Sequence, residues 1–303
     1  MRNCLWFTGE LVRILRHLGA RGVDAIPYKG PVLAQLLYRD IAARQFSDLD
    51  VLVAPKDVIR ARTALAELGY LPVQKLTPRQ ERAYIESGYE YAFDGTAGKN
   101  LLELQWRILP RFYTVDLEVA ALFDRAREIH LGGESFRMLG AEDLLIVLCV
   151  HAAKHVWTQL SWLCDIAQLV NSSTIDWDSA LERILRLGIA RIVVVNLLLA
   201  QQLLSLNLPS SIQKLLEQDR DAGAIVEEMI PIIAQSAHYD TESINYFRLM
   251  IRLRENWEDR TRFLWRLTTT PSVGEWSLVR LPAPLFSLYY AVRGVRLARR
   301  LLV

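Results

Sequence analysis

The chain has 303 residues, about half of them apolar, and a formal net charge of +2. That is long enough to bury a sizeable core, with room for two domains. A charge so near neutral makes no general case for nucleic acid as a partner. Cys4, Cys149 and Cys164 make an odd count without framework spacing, which suits a reducing, cytoplasmic compartment. Arg2, Glu10 and Arg13 interrupt the apolar start, so no signal peptide is expected. No stretch is apolar for long enough to span a bilayer.

Taken in chain order, a first helix is expected near 4–19, followed by a short strand from Val23 to Tyr28. Lys29-Gly30-Pro31 comes next, and Pro31 suits the first turn of a helix running through Tyr38. A glycine at such a point lets backbone amides approach a phosphate closely, and the helix N-terminus favours negative charge. Lys29 adds a positive charge there, unless it is an ordinary surface lysine. Arg44-Gln45-Phe46-Ser47-Asp48-Leu49-Asp50 then leads into the apolar run Val51–Val53, which stops at Pro55 and reads as a buried strand. On a strand Asp48 and Asp50 point to one face. Two adjacent carboxylates repel each other unless a cation lies between them, and hard oxygen ligands suit Mg²⁺. The alternative is a solvated strand edge. Arg44 either contacts phosphate or pairs with Asp48 or Asp40 to fix the loop, and Ser47 is a ligand contact or a plain turn residue.

Helices are expected at Lys56–Leu68 and near Pro78–Glu86. Tyr89–Phe93 and Leu101–Trp106 read as strands joined through the turn-forming run from Asp94 to Asn100. Glu103 and Gln105 share a face of the second strand. A carboxylate amid apolar residues is costly to bury alone, so Glu103 is the candidate third metal ligand, with a core salt bridge as its rival and Glu90 and Asp94 as fallbacks. Ile129–Leu131 and Ser135–Leu139 are expected to pair as a hairpin across Gly132-Gly133. After Gly140 the period is helical throughout, with helices expected over 143–157, 158–171, 176–187, 190–206, 210–218, 221–235, 241–267 (with a break) and 284–302. His151, Lys154 and His155 share one face of the first of these. They read as a cleft wall, with Lys154 or His155 meeting phosphate and Trp157 or Trp162 packing on a base or acceptor, or as interdomain packing. A zinc set of Cys149, His151, His155 and Cys164 matches no common spacing. From Leu281 to Val303 the segment is basic and free of acids. Such a helix can lie on an anionic membrane or grip a partner, but it is expected to pack its apolar face on its own domain and leave Arg293, Arg296, Arg299 and Arg300 in water.

The order strand, Lys-Gly turn, helix, Arg44 loop and Asp-x-Asp strand resembles the nucleotidyltransferase superfamily that includes DNA polymerase beta, kanamycin nucleotidyltransferase and the CCA-adding enzymes. Tyr28-Lys29-Gly30, Arg44-x-x-Ser47-Asp48-x-Asp50, Leu104-Gln105-Trp106, His151-Ala-Ala-Lys154-His155-x-Trp157 and Trp162-x-x-Asp165-Ile166 are similar to a bacterial nucleotidyltransferase family. Its members carry Lys-Gly in place of Gly-Ser, often have His where this chain has Gln105, and are often found beside lasso-peptide or polysaccharide biosynthesis genes. The resemblance implies an α+β fold: a nucleotidyltransferase catalytic domain of mixed sheet and flanking helices over 1–140, and an all-α domain over 141–303. It implies two Mg²⁺ ions, with Mn²⁺ as an alternative, held by Asp48, Asp50 and Glu103. It also implies a nucleoside triphosphate such as ATP held by Lys29, Gly30, Arg44, Ser47, Lys154 and His155. The acceptor is undetermined, a small molecule or peptide on one reading. The rival readings are a toxin-like or regulatory enzyme that modifies a protein or tRNA, and a non-catalytic binding module, which predicts a broken acid triad.

Overall fold

A computed structural model of the chain describes residues 2–95, 101–235, 239–241, 243–279 and 281–302. Most of the turn expected between Asp94 and Asn100 lies outside the described residues, since 96–100 are not among them. The fold is α+β, a mixed sheet with helices in the N-terminal part followed by an all-helical region. It divides into two compact units. One is Met1–Pro110 with Leu117–Gly140, and the other is Arg111–Asp116 with Ala141–Val303.

In the first unit, chain order runs α1 (Arg2–Ala20), β1 (Ala25–Pro27), α2 (Gly30–Tyr38), β2 (Asp48–Val53), α3 (Val58–Glu67), β3 (Leu71–Pro72), α4 (Pro78–Ser87), β4 (Glu90–Asp94), β5 (Leu101–Gln105), α5 (Val119–Asp124), β6 (Arg127–Leu131) and β7 (Glu134–Met138). Five strands form one sheet in the order β1-β2-β5-β4-β3. β2 and β5 run parallel, and the other pairs run antiparallel. β6 and β7 form a separate hairpin. One face of the sheet's centre is apolar, with Val51, Val53, Leu102 and Leu104 all buried. The other carries Asp50 beside Glu103, with buried Leu52 following Asp50 on the same face. α1 packs against α2 and α3. α4 is fixed by a capping box between Thr77 and Gln80 and by the Trp106 indole, which donates to the Ile85 carbonyl at 2.9 Å. The short β3 and α5 have too little periodicity to show in the sequence.

The second unit holds α6 (Ala141–Lys154), α7 (Leu160–Ser172), α8 (Trp177–Arg186), α9 (Ala190–Leu204), α10 (Ser210–Gln218), α11 (Arg220–Ala234), α12 (Ile244–Arg252), α13 (Trp257–Thr269), α14 (Val273–Leu278) and α15 (Tyr289–Leu302). The helix expected over 241–267 is thus two helices, α12 and α13. α6, α7 and α9 pack on one another, and Asn196 of α9 ties that helix to α6 and the turn after it. Its amide donates to the Cys149 and Ile192 carbonyls at 3.1 and 2.8 Å, and its oxygen accepts from the Trp157 indole at 2.8 Å. Trp157 is therefore a core anchor. The expectation that it could pack on a base or acceptor is corrected, because its ring is fully buried and its only polar atom is spoken for. No helix among the described residues is long and apolar enough to cross a membrane.

The C-terminal helix corrects a second expectation. α15 does not leave all of its arginines in water. Arg293 is 6% exposed, while Leu288 and Val295 are 48% and 57% exposed. The cause is Glu275 of α14, a fully buried carboxylate. It accepts from Arg293 at 3.2 Å and from Arg296 at 2.8 Å. An uncompensated buried charge costs more than exposing a few aliphatic side chains, so ion pairing decides which face of the helix turns inward. Burial works to raise the Glu275 carboxyl, but the Ser272 amide and the two guanidiniums hold it below the ordinary carboxylate value. A group depressed in this way contributes stability above its unfolded pKa and loses it as pH falls through the folded value. Glu275→Gln should therefore cost about 3 kcal/mol at neutral pH, and the loss should shrink on acidification. Denaturant unfolding at pH 7 and pH 4 checks this, and a loss that stays constant across that interval would refute the ion-pair account.

Candidate active site

The register of the sheet assembles the acidic cluster. β2 and β5 pair with Asp50 opposite Glu103, and β4 pairs with β5 so that Glu90 lies opposite Gln105. Asp50 is almost wholly buried, while Asp48 and Glu103 are half-buried. Neighbouring carboxylates make it costlier to ionise Glu103 and Asp48. Burial first, then the Glu90 and Asp50 charges, pushes Glu103 up to about 8. Asp48 is also raised, by burial and by Asp50, with Lys29 and Arg44 working in the opposite direction. Arg44 thus acts electrostatically on Asp48. Ser47, one residue before it, is exposed.

Lys29 is no surface lysine. It is buried, and its Nζ donates to Asp50 Oδ1 at 2.9 Å. Burial alone would lower the ammonium pKa, but the Asp50, Glu103 and Asp48 charges outweigh it and raise it. The residue therefore stays charged and supplies the positive charge that the acids require. Gly30 has φ +59°, a left-handed conformation, and a Cβ there would meet the Asp48 carbonyl at 3.3 Å. Only glycine brings the start of α2 this close to β2 without strain. Lys29 is the N-cap and makes no side-chain cap bond, and Pro31 occupies the first turn.

Gln105 is the residue that sequence reasoning placed on the acidic face but gave no role. Its Nε2 donates to Asp50 Oδ1 at 3.2 Å, to Glu103 Oε2 at 3.1 Å and to Glu90 Oε2 at 3.4 Å. Its Oε1 accepts from the buried Tyr28 hydroxyl. One amide thus links three acids and orients them. The period-two face shared with Glu103 was the available signal, but Glu90 and Asp50 reach Gln105 only through long-range pairing. Asp50 Oδ2 remains buried without a hydrogen-bond partner, and an orphaned buried carboxylate oxygen is costly unless a cation or donor meets it. With Asp48 and Glu103 the set is oxygen-only, the chemistry that Mg²⁺ selects, so it fits such an ion. Among the described residues, however, no three His, Cys, Asp or Glu side chains are drawn together as a ready metal cage. Lys29 and Gln105 stand among the acids and neutralise or bridge them.

Lys154 and His155 belong to the second unit. The His155 ring lies 4.7 Å from His151 and 5.3 Å from Trp162, centroid to centroid. Val156 and Trp157, at φ 56° and 49°, then turn the chain out of α6 in a left-handed conformation. Lys154 and His155 line a cavity of the second unit together with Phe112 and Arg296. Cys149 is buried within α6.

The sequence model of a family described as uncharacterised nucleotidyltransferase matches residues 2–205. A comparison with curated proteins gave no match. Among solved structures, the chain is similar to the antibiotic-resistance factor ANT(2'')-Ia in its solution structure, at 13% identity and a TM-score of 0.42, over 57% of this chain and 87% of that one. A crystal structure of ANT(2'')-Ia in complex with adenylyl-2''-tobramycin gives 12% identity and a TM-score of 0.42, over 58% and 93%. An antigenic nucleotidyltransferase-like protein from Paracoccidioides brasiliensis gives 12% and 0.35, over 59% and 87%.

Proposed function

The chain belongs to this family of uncharacterised nucleotidyltransferases, and from that premise we propose that it moves an NMP from a nucleoside triphosphate to an acceptor hydroxyl or phosphate, releasing pyrophosphate. The observation that carries the reading is the paired acids of β2 and β5, with one oxygen of buried Asp50 left without a partner. Asp48, Asp50 and Glu103 would hold Mg²⁺, in the two-ion arrangement that the resemblance implies. Bound there, the metal supplies charge neutralisation and lowers the pKa of the attacking oxygen.

The remaining roles belong to the chain's own residues. Lys29 balances Asp50 in the free protein and is the charge available to the β- and γ-phosphates at the start of α2. Gly30 keeps that turn free of a side chain. Arg44 and Ser47 border Asp48 and would serve the same anionic substrate. Gln105 and Tyr28 hold the acids in place. Lys154 and His155 belong to a cavity of their own unit. The attacking oxygen bonds to the α-phosphorus as the bond to pyrophosphate breaks, so positioning and charge do most of the work. The non-catalytic reading is disfavoured because all three acids are present and two lie in register.

The test is a thermal-shift screen of the four NTPs with Mg²⁺. A ligand at about a hundred times its Kd stabilises the folded protein by about 2.7 kcal/mol, so at least one NTP is expected to raise Tm by several degrees. If no NTP moves Tm, the reading fails. Lys29→Ala should halve the shift or more at sub-saturating nucleotide, and equal shifts in the two proteins would remove Lys29 from the phosphate site.

A further inference from the structure

The second unit contains a cavity of about 370 Å³, within the roughly 300–1,000 Å³ typical of small-molecule sites. All of its lining belongs to that unit. Lys154, Arg293 and Arg296 supply three basic side chains, and the lining contains no acid. His155 adds a titratable imidazole, while Phe112 and Phe247 add ring surface. Both guanidiniums are anchored from behind by one carboxylate, Glu275. Arg293 also donates to the Leu267 carbonyl at 2.6 Å, and the Tyr246 hydroxyl donates to the Lys154 carbonyl at 2.9 Å. The two guanidiniums are therefore held in place before any ligand arrives, the preorganisation that lowers the entropic cost of binding. Arginine forks held this way suit carboxylate and phosphate oxygens.

We infer that this cavity binds a small organic anion: a carboxylate or phosphate ester carried on an apolar ring, its charge on Arg296 and Lys154 and its ring against Phe112 and Phe247. The binding does not depend on the function proposed above. Gly274 sharpens the site, because a Cβ there would meet Arg296 Nη1 at 1.9 Å. A methyl group at 274 must therefore displace the Arg296 guanidinium.

The experiment uses the full chain without nucleotide and titrates phenyl phosphate and benzoate, with benzylammonium as the control, by ligand-observed NMR. Both anions should bind, with the cation at least about tenfold weaker. Arg296→Gln, Lys154→Gln and Gly274→Ala should each weaken the anions by about tenfold, and far-UV circular dichroism should show each variant folded. Asp50→Asn should bind them as wild type does, and ATP should not displace them. Persistence in Asp50→Asn keeps this result separate from the fate of the transfer reaction. Equal binding of anion and cation, unchanged affinity in the three cavity variants, loss of binding in Asp50→Asn, or displacement by ATP would each overturn the inference.

Discussion

Asp50→Asn is expected to lower nucleotidyl transfer by at least about a thousandfold, since several kcal/mol of transition-state stabilisation go with the charge. Asn keeps the shape and can still accept from Lys29 and Gln105, but it cannot supply an anionic oxygen where Oδ2 now stands without a partner. The same change leaves the buried Lys29 ammonium without its closest counter-charge. Removing one partner of a buried pair is destabilising by about 3 kcal/mol or more, so the variant should also melt several degrees lower. The two effects separate in the double variant Asp50→Asn with Lys29→Met. Losing both charges should restore most of the stability and none of the activity. Pyrophosphate release measured beside Tm decides the matter. Near wild-type release in Asp50→Asn would remove Asp50 from the chemistry. Recovery of activity in the stabilised double variant would show that the single variant failed only because it was less folded.

Much of the first unit was legible because its signals are local. The β-branched and aliphatic run after Asp50 marks a two-sided strand, and the two-residue spacing of Asp48 and Asp50 places both on one face of it. Lys29-Gly30-Pro31 marks the turn into α2, where φ is positive at the glycine. What the sequence hid depends on partners distant along the chain. Nothing near Gln105 indicates that its amide will meet Asp50, because that contact exists only once β2 and β5 lie side by side. Burial of Lys29 was invisible for the same reason. In the C-terminal helix the amphipathic pattern was read correctly as a pattern and wrongly as an orientation. The period shows which residues share a face, but a single buried acid on the short helix α14 decides which face turns inward. The two readings of Trp157 stayed open for the same reason, since its indole is claimed by Asn196, 39 positions on.

Glu103→Gln should separate stability from function with opposite signs. Glu103 sits among Asp50, Glu90 and Asp48, and its carboxyl is pushed up to about 8 from an ordinary 4.5. Because the folded value lies above the unfolded one, folding favours the protonated acid. That contribution is complete below the unfolded pKa and is lost as pH rises through about 8. Gln is neutral at every pH and can still accept from Gln105. The free variant should therefore match wild type near pH 5 and exceed it increasingly towards pH 9. Activity should move the other way, falling by about a hundredfold or more with the loss of one anionic ligand. Cation binding favours the ionised acid and so expels the Glu103 proton. The Mg²⁺-induced rise in wild-type Tm should accordingly grow between pH 6 and pH 9, and in the variant it should be small and nearly flat. Melting curves for both proteins across that range, with and without Mg²⁺, test every part of this. A variant that melts at or below wild type at pH 9 would show that Glu103 is stabilised by its neighbours. A wild-type Mg²⁺ shift that does not change with pH would take Glu103 out of the cation site.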